Sequence, residues 1–349
     1  YEAGDKHILS WKKIPRGPSW PSSHLISSAM ANLQNNVLLL FGGDIAGSET
    51  YFDNRNTYVI TYAPSSNRLE WEKQSTTPKC DTKNMCEHSF YFSNQNFGMI
   101  KVPGAVVLFN PSADPSPGSY GVGNGGMWYF DMDSKTWTFA LRDQLNLIGK
   151  NRRYFAMGTV GKSSEAKKIV FGGGYGYSGG DRLADTWLIG NCSMPQQALY
   201  LSGSFEDITI TAGPKPPQTK NAAMTGYKDM AVMFGGNIEG KEFLGSRNVN
   251  DLWVFTKISA EESYTWSTVD HPAEGRPSPR QYTSLVKTLH PTLGDYLLLY
   301  GGYNGDSKGG TLADTWMLSM DSMVWHEWKN RRVLNETQMP GLNSYAMAP

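Results

Sequence analysis

Histidine is the residue type in this chain best suited to bind a metal or exchange protons at neutral pH. No two of the six histidines lie at a metal-ligand spacing such as i, i+4; they are His7, His24, His88, His271, His290 and His326. His24 and His88 precede apolar segments, at positions that tyrosines occupy elsewhere in the chain, so a structural role is favoured for both. The histidines therefore predict neither a metal site nor acid–base catalysis.

A glycine-rich segment at 118–126 has the composition of a phosphate-binding loop, with Gly118, Gly121, Gly123, Gly125 and Gly126. A phosphate cradle needs the N-terminus of a following helix, and here another strand is predicted to follow. No Gly-x-Ser-x-Gly nucleophile elbow is identified, so no seat for a hydrolase nucleophile is predicted either. We interpret the segment as a long flexible loop, and we expect no catalytic residue, cofactor or metal.

The cysteines and the N-glycosylation sequons indicate the cellular compartment in which the protein works. Cys80 and Cys86 enclose a tight loop, and their spacing alone is compatible with a disulfide bridge or with reduced thiols in a cytoplasmic protein. Sequons at Asn191 ("NCS") and Asn335 ("NET") fall in expected inter-repeat loops, and the chain begins at Tyr1. Together these features favour an extracellular or cell-surface glycoprotein with a Cys80–Cys86 bridge over a cytoplasmic protein.

Charge and hydropathy exclude two classes of partner. Lys+Arg and Asp+Glu both number 32, so the net charge is zero, and no nucleic-acid or anionic-membrane surface is indicated. The apolar runs end after about five residues, which is far too short for a membrane-spanning helix. We expect neither nucleic-acid binding nor membrane insertion.

One order of segments recurs along the chain. Apolar runs end in glycine at Val37–Gly43, Lys168–Gly174, Ala231–Gly236 and Tyr296–Gly302, and a fifth run, Ala105–Asn110, ends without glycine. Aromatic segments follow at 57–62, 126–131, 184–189, 250–255 and 313–318, and then Trp71, Trp137, Trp266 and Trp325, with Trp11 as an earlier member. The preceding positions are spaced by 64, 66, 67, 61 and 63 residues; they are His24, His88, Tyr154, Asn221, Tyr282 and Tyr345. A fixed period predicts a repeat architecture.

Each repeat contains four short segments rich in Val, Leu, Tyr, Trp and Phe, bounded by glycine, proline, serine and asparagine. Such segments predict strands, and a four-stranded sheet repeated radially is a β-propeller blade. A strand that ends near a crowded axis needs glycine, which has no Cβ and adopts positive φ. The chain is therefore predicted to be all-β, with tryptophans filling the space between antiparallel blades.

At this point the chain resembles the kelch-repeat family, within the superfamily of the galactose-oxidase central domain. The hydrophobic run, Gly-Gly pair, loop, aromatic doublet and tryptophan carry the resemblance, together with "RRYF" (152–155) and "RQYT" (280–283). The second unit departs from it, because Asn110 and Pro111 replace the glycines. The third unit lacks the last tryptophan, and "SFEDITI" (204–210) is its best fourth strand. We expect these two blades to be misshapen or functionally altered.

The segment count favours six blades, with seven as the alternative. Five units are complete, and a sixth blade would be shared by Trp11 at one terminus and "GLNSYAMAP" at the other. Residues 1–349 are therefore expected to form a single propeller. Because the shared blade lacks its two middle strands, continuation beyond Pro349 is favoured over completion by a partner chain.

The resemblance implies two classes of function, a binding scaffold and a central-pocket enzyme that acts on a sugar. A copper-radical oxidase would need a cysteine beside a tyrosine and two axial histidines, and the cysteines lie in predicted loops. The iron-binding cluster of the specifier proteins is not found around any histidine. A mutarotase needs only a few polar groups in the central pocket and stays open. We favour a non-catalytic scaffold that binds another protein or glycoprotein. Such a scaffold can be part of a larger assembly.

Loop lengths indicate which face binds. The long loops share one face, which we name the long-loop face; they are 44–56, 111–125, 174–183, 237–249 and 303–312, with 72–86, 138–151, 190–219, 267–279 and 329–341. Turns on the opposite face are shorter, as at 131–136 and 319–323, with 91–104 as an exception.

Candidate partner-binding residues were chosen by residue type near the long-loop face. Arginine and tyrosine dominate interface energies, so the candidates are Arg153, Tyr154, Arg280 and Tyr282 at the first strands, with Tyr120 and Trp128 beside the glycine-rich loop. For the arginines the alternative is a structural one, in which they tie blades together through backbone carbonyls. For Arg280 both roles are equally favoured.

Non-reducing mass spectrometry tests the expected Cys80–Cys86 bridge. We expect alkylation without reduction to leave Cys80 and Cys86 unlabelled, because a short enclosed loop closes readily in an oxidising compartment. Cys192 is expected to be free, and then labelled, or to pair outside the chain. Reduction before alkylation is the control and should label all three. Two alkylated thiols at Cys80 and Cys86 in protein from its native source would contradict both the bridge and the extracellular setting.

Overall fold

Every regular element in the described part of the chain is a β-strand. The computed structural model describes residues 14, 25–26, 28–34, 36–42, 44–45, 56–75, 98–110, 126–141, 152–161, 167–176, 182–192, 205–207, 213–240, 245–258, 263–272, 274–290, 294–305 and 310–328. No helix occurs within these ranges. The all-β prediction is confirmed.

Five four-stranded antiparallel sheets follow one another, each with its strands in chain order. Blade 1 comprises Ala29–Gln34, Val37–Phe41, Thr57–Ala63 and Arg68–Lys73; blade 2 comprises Gly98–Val102, Ala105–Asn110, Gly126–Asp131 and Thr136–Leu141. Blade 3 comprises Ala156–Val160, Lys167–Gly172, Thr186–Cys192 and Phe205–Asp207. Blade 4 comprises Ala223–Tyr227, Met230–Phe234, Leu252–Lys257 and Tyr264–Val269; blade 5 comprises Ser284–His290, Gly294–Tyr303, Thr311–Ser319 and Trp325–Glu327. These are the blades of a β-propeller; the termini expected to share a sixth lie outside the described residues.

The hydrophobic core lies between adjacent blades. Each of four apolar clusters combines residues of neighbouring sheets, as where Phe234 and Leu252 of blade 4 pack with Leu299 and Trp325 of blade 5. Similar clusters join blades 1 and 2, blades 2 and 3, and blades 3 and 4. Both faces of a blade are thereby covered, which is why the second strands are continuous apolar runs instead of alternating ones.

Short accessory strands connect the loops of the long-loop face. The segment before a first strand pairs with the loop after the second strand of the same blade: Leu25–Ile26 with Asp44–Ile45, Arg152–Arg153 with Tyr175–Gly176, and Thr219–Lys220 with Asn237–Gly240. Asn237–Gly240 also pairs with Gly245–Asn248, and Gln281 forms a single bridge with Tyr303. These two sets of loops therefore share one face, as their lengths predicted.

The glycine pair lets the next blade approach closely. In blade 3 the Gly174 N–H donates to the Thr219 carbonyl at 2.7 Å, and a Cβ on Gly173 would lie 2.5 Å from that oxygen. Both glycines have positive φ, +65° and +98°. Blade 4 repeats the arrangement, because a Cβ on Gly235 would lie 2.7 Å from the Arg280 carbonyl oxygen. A side chain at these positions would clash with backbone of the following blade.

Blades 2 and 3 differ from their predictions in one respect each. Blade 2 forms a complete sheet without its glycine pair, and its first strand, Gly98–Val102, lies inside the segment 91–104 predicted to be a long connection. That prediction was wrong, because strands one and two are joined by the two-residue turn Pro103–Gly104. The fourth strand of blade 3 is confirmed within 204–210 but spans only Phe205–Asp207.

A tryptophan–threonine hydrogen bond links alternate pairs of blades. Trp137 Nε1 of blade 2 donates to Thr57 Oγ1 of blade 1 at 2.9 Å, and Trp266 Nε1 of blade 4 donates to Thr186 Oγ1 of blade 3 at 2.9 Å. In both pairs the threonine begins the third strand and the tryptophan lies in the fourth strand of the next blade. Each bond satisfies an indole N–H that is removed from water.

The missing tryptophan of blade 3 belongs to this pattern. Phe205 holds the tryptophan register, opposite Ile189, and in the third strand of the preceding blade Met127 occupies the position of the threonine. At these two positions the interface of blades 2 and 3 thus has neither the threonine acceptor nor the tryptophan donor. Between blades 4 and 5, Leu252 replaces threonine while Trp325 is retained, and Trp325 Nε1 has no hydrogen-bond partner among the described residues.

Replacing Thr186 tests the value of the bond. We expect Thr186→Val to lower the free energy of unfolding by about 1–3 kcal/mol, because the Trp266 N–H remains buried without an acceptor. Thr186→Ser keeps the oxygen and is the matched control, expected to lose less. Chemical denaturation measures both variants; equal losses would show that the methyl group, and not the hydrogen bond, stabilises this interface.

Candidate partner-binding site

Three residues, each separated by one residue from the first strand of blade 3, 4 or 5, form a chain of backbone hydrogen bonds. The Asn221 N–H donates to the Tyr154 carbonyl at 2.9 Å, and the Tyr282 N–H donates to the Asn221 carbonyl at 3.2 Å. The first strands themselves are the innermost of each sheet, and they line a central cavity. The chain of bonds therefore runs around the central channel at its long-loop end.

All three residues adopt a left-handed backbone conformation, with φ of 60° at Tyr154, 58° at Asn221 and 57° at Tyr282. Asparagine tolerates this region, whereas a bulky aromatic residue rarely enters it. Strained backbone of this kind persists only where the surrounding structure enforces it, and it concentrates at ligand-contacting sites. The conformation at the two tyrosines is thus a local cost that the blade-to-blade bonds offset.

The side chains at this position contact one another across blades. The rings of Tyr154 and Tyr282 meet edge to face, with centroids 6.5 Å apart and planes at 70°. Lys220 Nζ lies 5.8 Å from the Tyr154 ring centroid, and Asn221 Nδ2 donates to Gln281 Oε1 at 2.9 Å. We name these five residues the tyrosine mouth. All but the buried Asn221 are half-exposed, so aromatic, cationic and amide groups face solvent together.

The pKa of Tyr282 determines which groups of the tyrosine mouth are charged at neutral pH. Burial raises the pKa of the Tyr282 phenol, and the neighbouring Tyr154 phenol raises it further. A hydrogen bond with Asn221 opposes these effects without reversing them. Tyr282 is therefore a neutral hydroxyl that can both donate and accept a hydrogen bond, while Lys220 supplies the positive charge.

Arg280 is a structural residue of blade 5. Its side chain is 0% exposed, and Nη1 and Nη2 donate to Asp314 Oδ1 and Oδ2 at 2.6 and 2.7 Å. Nη1 also donates to the Gly301 carbonyl at 3.0 Å, while Nε and Nη2 donate to the carbonyl and hydroxyl of Ser278. Every guanidinium N–H has an acceptor, so none is left for a partner. Arg280 therefore has the structural role that was the alternative to partner binding. The Gly301 carbonyl that it binds, however, belongs to its own blade and not to a neighbouring one.

The same arrangement recurs in blade 3. Arg152, 1% exposed, binds both carboxylate oxygens of Asp185 and donates to the Gly173 carbonyl at 2.6 Å. Trp187 Nε1 donates to the same carboxylate at 2.8 Å, as Trp316 Nε1 does to Asp314 at 2.7 Å. The Arg–Asp–Trp cluster thus fixes the glycine pair against the start of its own blade.

Two more candidates are accounted for by their placement. Trp128 is 0% exposed and packs with Phe41 and Leu108 between blades 1 and 2, so it offers a partner no surface. The Arg153 backbone pairs with Tyr175, and its side chain is not described. Tyr120 lies outside the described residues. The burial of Trp128 and Arg280 removes both from the candidate contacts and leaves Tyr154 and Tyr282.

Sequence reasoning missed Lys220 and Gln281 as members of the mouth. Both directly precede a residue of the repeated position, Asn221 or Tyr282, and that adjacency was the available signal. Prediction by residue type alone favoured the arginines instead. The first-strand position was recognised, but which neighbours face solvent depends on the accessory strands.

The remaining sequence predictions are placed as follows. Cys80, Cys86 and Asn335 lie outside the described residues. Asn191 was predicted in a loop, and this was wrong, because it lies within the strand Thr186–Cys192. Among the described residues no group of histidine, cysteine or acidic side chains is arranged to hold a metal, and no helix is long and apolar enough to cross a membrane.

A nucleophile pattern in blade 3 was overlooked in the sequence. Residues 176–180 spell Gly-Tyr-Ser-Gly-Gly, the letters of Gly-x-Ser-x-Gly. The pattern lies between the strands Lys167–Gly172 and Thr186–Cys192, and the described residues that follow it, 182–185, are not helical. It therefore lacks the helix that a nucleophile elbow requires.

Comparison with protein-family models finds one match. Residues 120–339, more than half of the chain, match the KLHDC2/KLHL20/DRC7 Kelch-repeats domain. The match covers blades 2 to 5 from the second blade's third strand onward, including both Arg–Asp–Trp clusters and the tyrosine mouth. A search of curated proteins found no significant match.

The buried ion pair makes stability depend on pH. Burial alone would raise the pKa of the Asp314 carboxyl, but the hydrogen bonds and charge of Arg280 outweigh burial and lower it. A depressed pKa contributes stability above the unfolded value of about 3.9, and that contribution is lost as the pH falls below it. We expect Asp314→Asn to cost about 3 kcal/mol at pH 7 by leaving the Arg280 charge without its counterion.

Thermal unfolding between pH 7 and pH 2.5 checks this expectation. The midpoint of Asp314→Asn should lie below that of the native chain at pH 7, and the two should converge below about pH 4. Asp321→Asn removes an exposed carboxylate and serves as control. A difference between Asp314→Asn and the native chain that stays constant down to pH 2.5 would mean that the ion pair does not stabilise the fold.

Proposed function

The chain belongs to the kelch-repeat family, and from this we propose that it is a non-catalytic β-propeller that binds another protein through its long-loop face. Kelch-repeat propellers commonly serve as protein-interaction scaffolds. The observation that carries the proposal is the Tyr154–Tyr282 pair, held half-exposed beside Lys220 at the channel mouth. Aromatic residues of this kind dominate the energy of protein interfaces.

The geometry of the mouth favours tight binding. Its backbone is fixed by the Asn221 and Tyr282 hydrogen bonds, and its rings are fixed by mutual edge-to-face contact. A partner therefore pays little conformational entropy to order them. Tyrosine adds an amphipathic surface, since the ring packs against apolar groups while the hydroxyl hydrogen-bonds.

The long loops would extend this contact. The mouth lies at the centre of the long-loop face, where accessory strands hold the loop bases of blades 3, 4 and 5. Loops on a rigid scaffold are where binding specificity concentrates. We propose that the partner's central segment contacts the tyrosines and that the surrounding loops, including 111–125, select among partners. A glycan carried by the partner and an extracellular setting are parts of the same proposal.

Substitution within the repeat separates binding from folding. Asn221 occupies the tyrosine position in blade 4 with the same backbone conformation, so Tyr154→Asn and Tyr282→Asn remove the rings while retaining a residue that tolerates φ near 60°. We expect the double variant to keep its thermal midpoint and to reduce partner recovery about tenfold or more, because aromatic hot spots contribute roughly 2 kcal/mol each.

Quantitative pull-down from the native source, followed by mass spectrometry, measures that recovery. Asp133→Ala, in an exposed turn on the opposite face, is the matched control. Proteins retained by the native chain and the control but lost by the double variant would support the proposal. Recovery of the same proteins by all three would place the binding surface away from the mouth.

A further inference from the structure

A cavity of about 390 Å³ occupies the axis of the propeller and is separate from the tyrosine mouth. The first strands of all five described blades line it, but none of the five mouth residues does. Pro103, in the turn between the first two strands of blade 2, also lines it. The cavity therefore extends toward the short-turn face, opposite the long-loop face.

One end of the cavity is a ring of apolar side chains. The second residue of each described first strand contributes to the lining, and these residues are Met30, Met99, Met157, Met224 and Leu285. Two glycines make room for the ring: a Cβ on Gly98 would lie 2.7 Å from Met157 Cε, and one on Gly158 would lie 3.0 Å from Met224 Cγ. Methionine is flexible and polarizable, and it adapts to irregular apolar shapes.

The other end is polar and positively charged. Two residues further along the same strands, the lining includes Asn32, Lys101, Thr159, Gly226 and Lys287, together with Val102 and Pro103 of blade 2. No aspartate or glutamate is among the residues that line the cavity in the described part of the chain. The two lysines come from blades 2 and 5, which are not neighbours, and both residues contribute to the lining.

The carboxylate near Lys287 is shared with two other groups. Lys287 Nζ lies 5.3 Å from the Tyr227 ring centroid, near Asp295. Asp295 already accepts the Tyr227 hydroxyl at 2.6 Å and lies 3.7 Å from Lys228 Nζ. Partial burial lowers the pKa of Lys101. A cation that has lost part of its hydration gains from a bound anion.

We propose that this cavity binds a small organic carboxylate with an apolar body, its carboxylate between Lys101 and Lys287 and its hydrocarbon part against the methionine ring. The volume lies at the lower end of the roughly 300–1,000 Å³ of small-molecule sites. The separation of a polar end from an apolar end selects an amphipathic molecule and disfavours a sugar, whose hydroxyl groups would meet thioether and methyl groups. Asn32 and Thr159 add hydrogen bonds to the carboxylate end.

Octanoate is the probe, and the methyl groups of the methionines are the reporters. Octanoate is titrated into the folded chain carrying ¹³C-labelled methionine methyl groups, with Met157→Leu and Met224→Leu used to assign two of the signals. We expect saturable shifts of both signals. Lys101→Met, alone and with Lys287→Met, should weaken binding about tenfold or more, because each keeps the side-chain stem and removes the charge. Lys215→Met, an exposed lysine outside the cavity, should bind as the native chain does.

Three results would overturn the assignment. The first is an absence of methionine shifts with octanoate at millimolar concentration. The second is affinity that does not depend on the lysine charge, seen as unchanged affinity in Lys101→Met or as equal affinity for octylammonium; Lys101 is exposed, so its replacement should not prevent folding. The third is tighter binding of octyl phosphate than of octanoate, which would assign the site to phosphate esters.

Discussion

The contact between the glycine pair of one blade and the start of the next is the constraint on which the rest of the structure depends. Two backbones meet there at hydrogen-bonding distance, as at Gly174 and Thr219, and no Cβ fits between them. In blades 3 and 5 a buried arginine fixes the other side of the junction by binding the first glycine's carbonyl and an aspartate. Burying an arginine costs desolvation, but in blade 5 every guanidinium N–H of Arg280 has an acceptor, and removing its counterion would leave a buried charge.

The junction also creates the exposed mouth. The accessory segment before each first strand is held by contacts on both sides. The residue that follows this segment is therefore forced into a left-handed backbone conformation and directed toward the channel. A glycine or asparagine would adopt that conformation at less cost, yet Tyr154 and Tyr282 stand at two of the three described positions. Aromatic rings at a strained position, half-buried and in contact across two blades, support the binding role proposed above.

Much of the fold followed from periodicity, and much of the site did not. The repeat spacing predicted strands, blade order and the shared face of the long loops, because each depends on local composition and a fixed period. The first strand of blade 2 was misplaced, since it begins at Gly98, well after His88, the residue taken as its preceding position. Arg280 and Trp128 were chosen by residue type, but their burial depends on partners such as Asp314 and Phe41, far away in sequence. A single sequence gives the type of a side chain, not the neighbours that cover it.

Amide hydrogen exchange at Asn221 and Tyr282 tests most directly whether the blade junctions hold the mouth rigid. These N–H groups bond to carbonyls of the preceding blade and belong to no strand of a four-stranded sheet. If the junctions fix the mouth, both amides exchange as slowly as those of the neighbouring first strands, and Arg280→Lys accelerates exchange at Tyr282 because lysine cannot reproduce the bidentate pair. Exchange of both amides at the rate of an unstructured peptide in the native chain would contradict a preformed binding site.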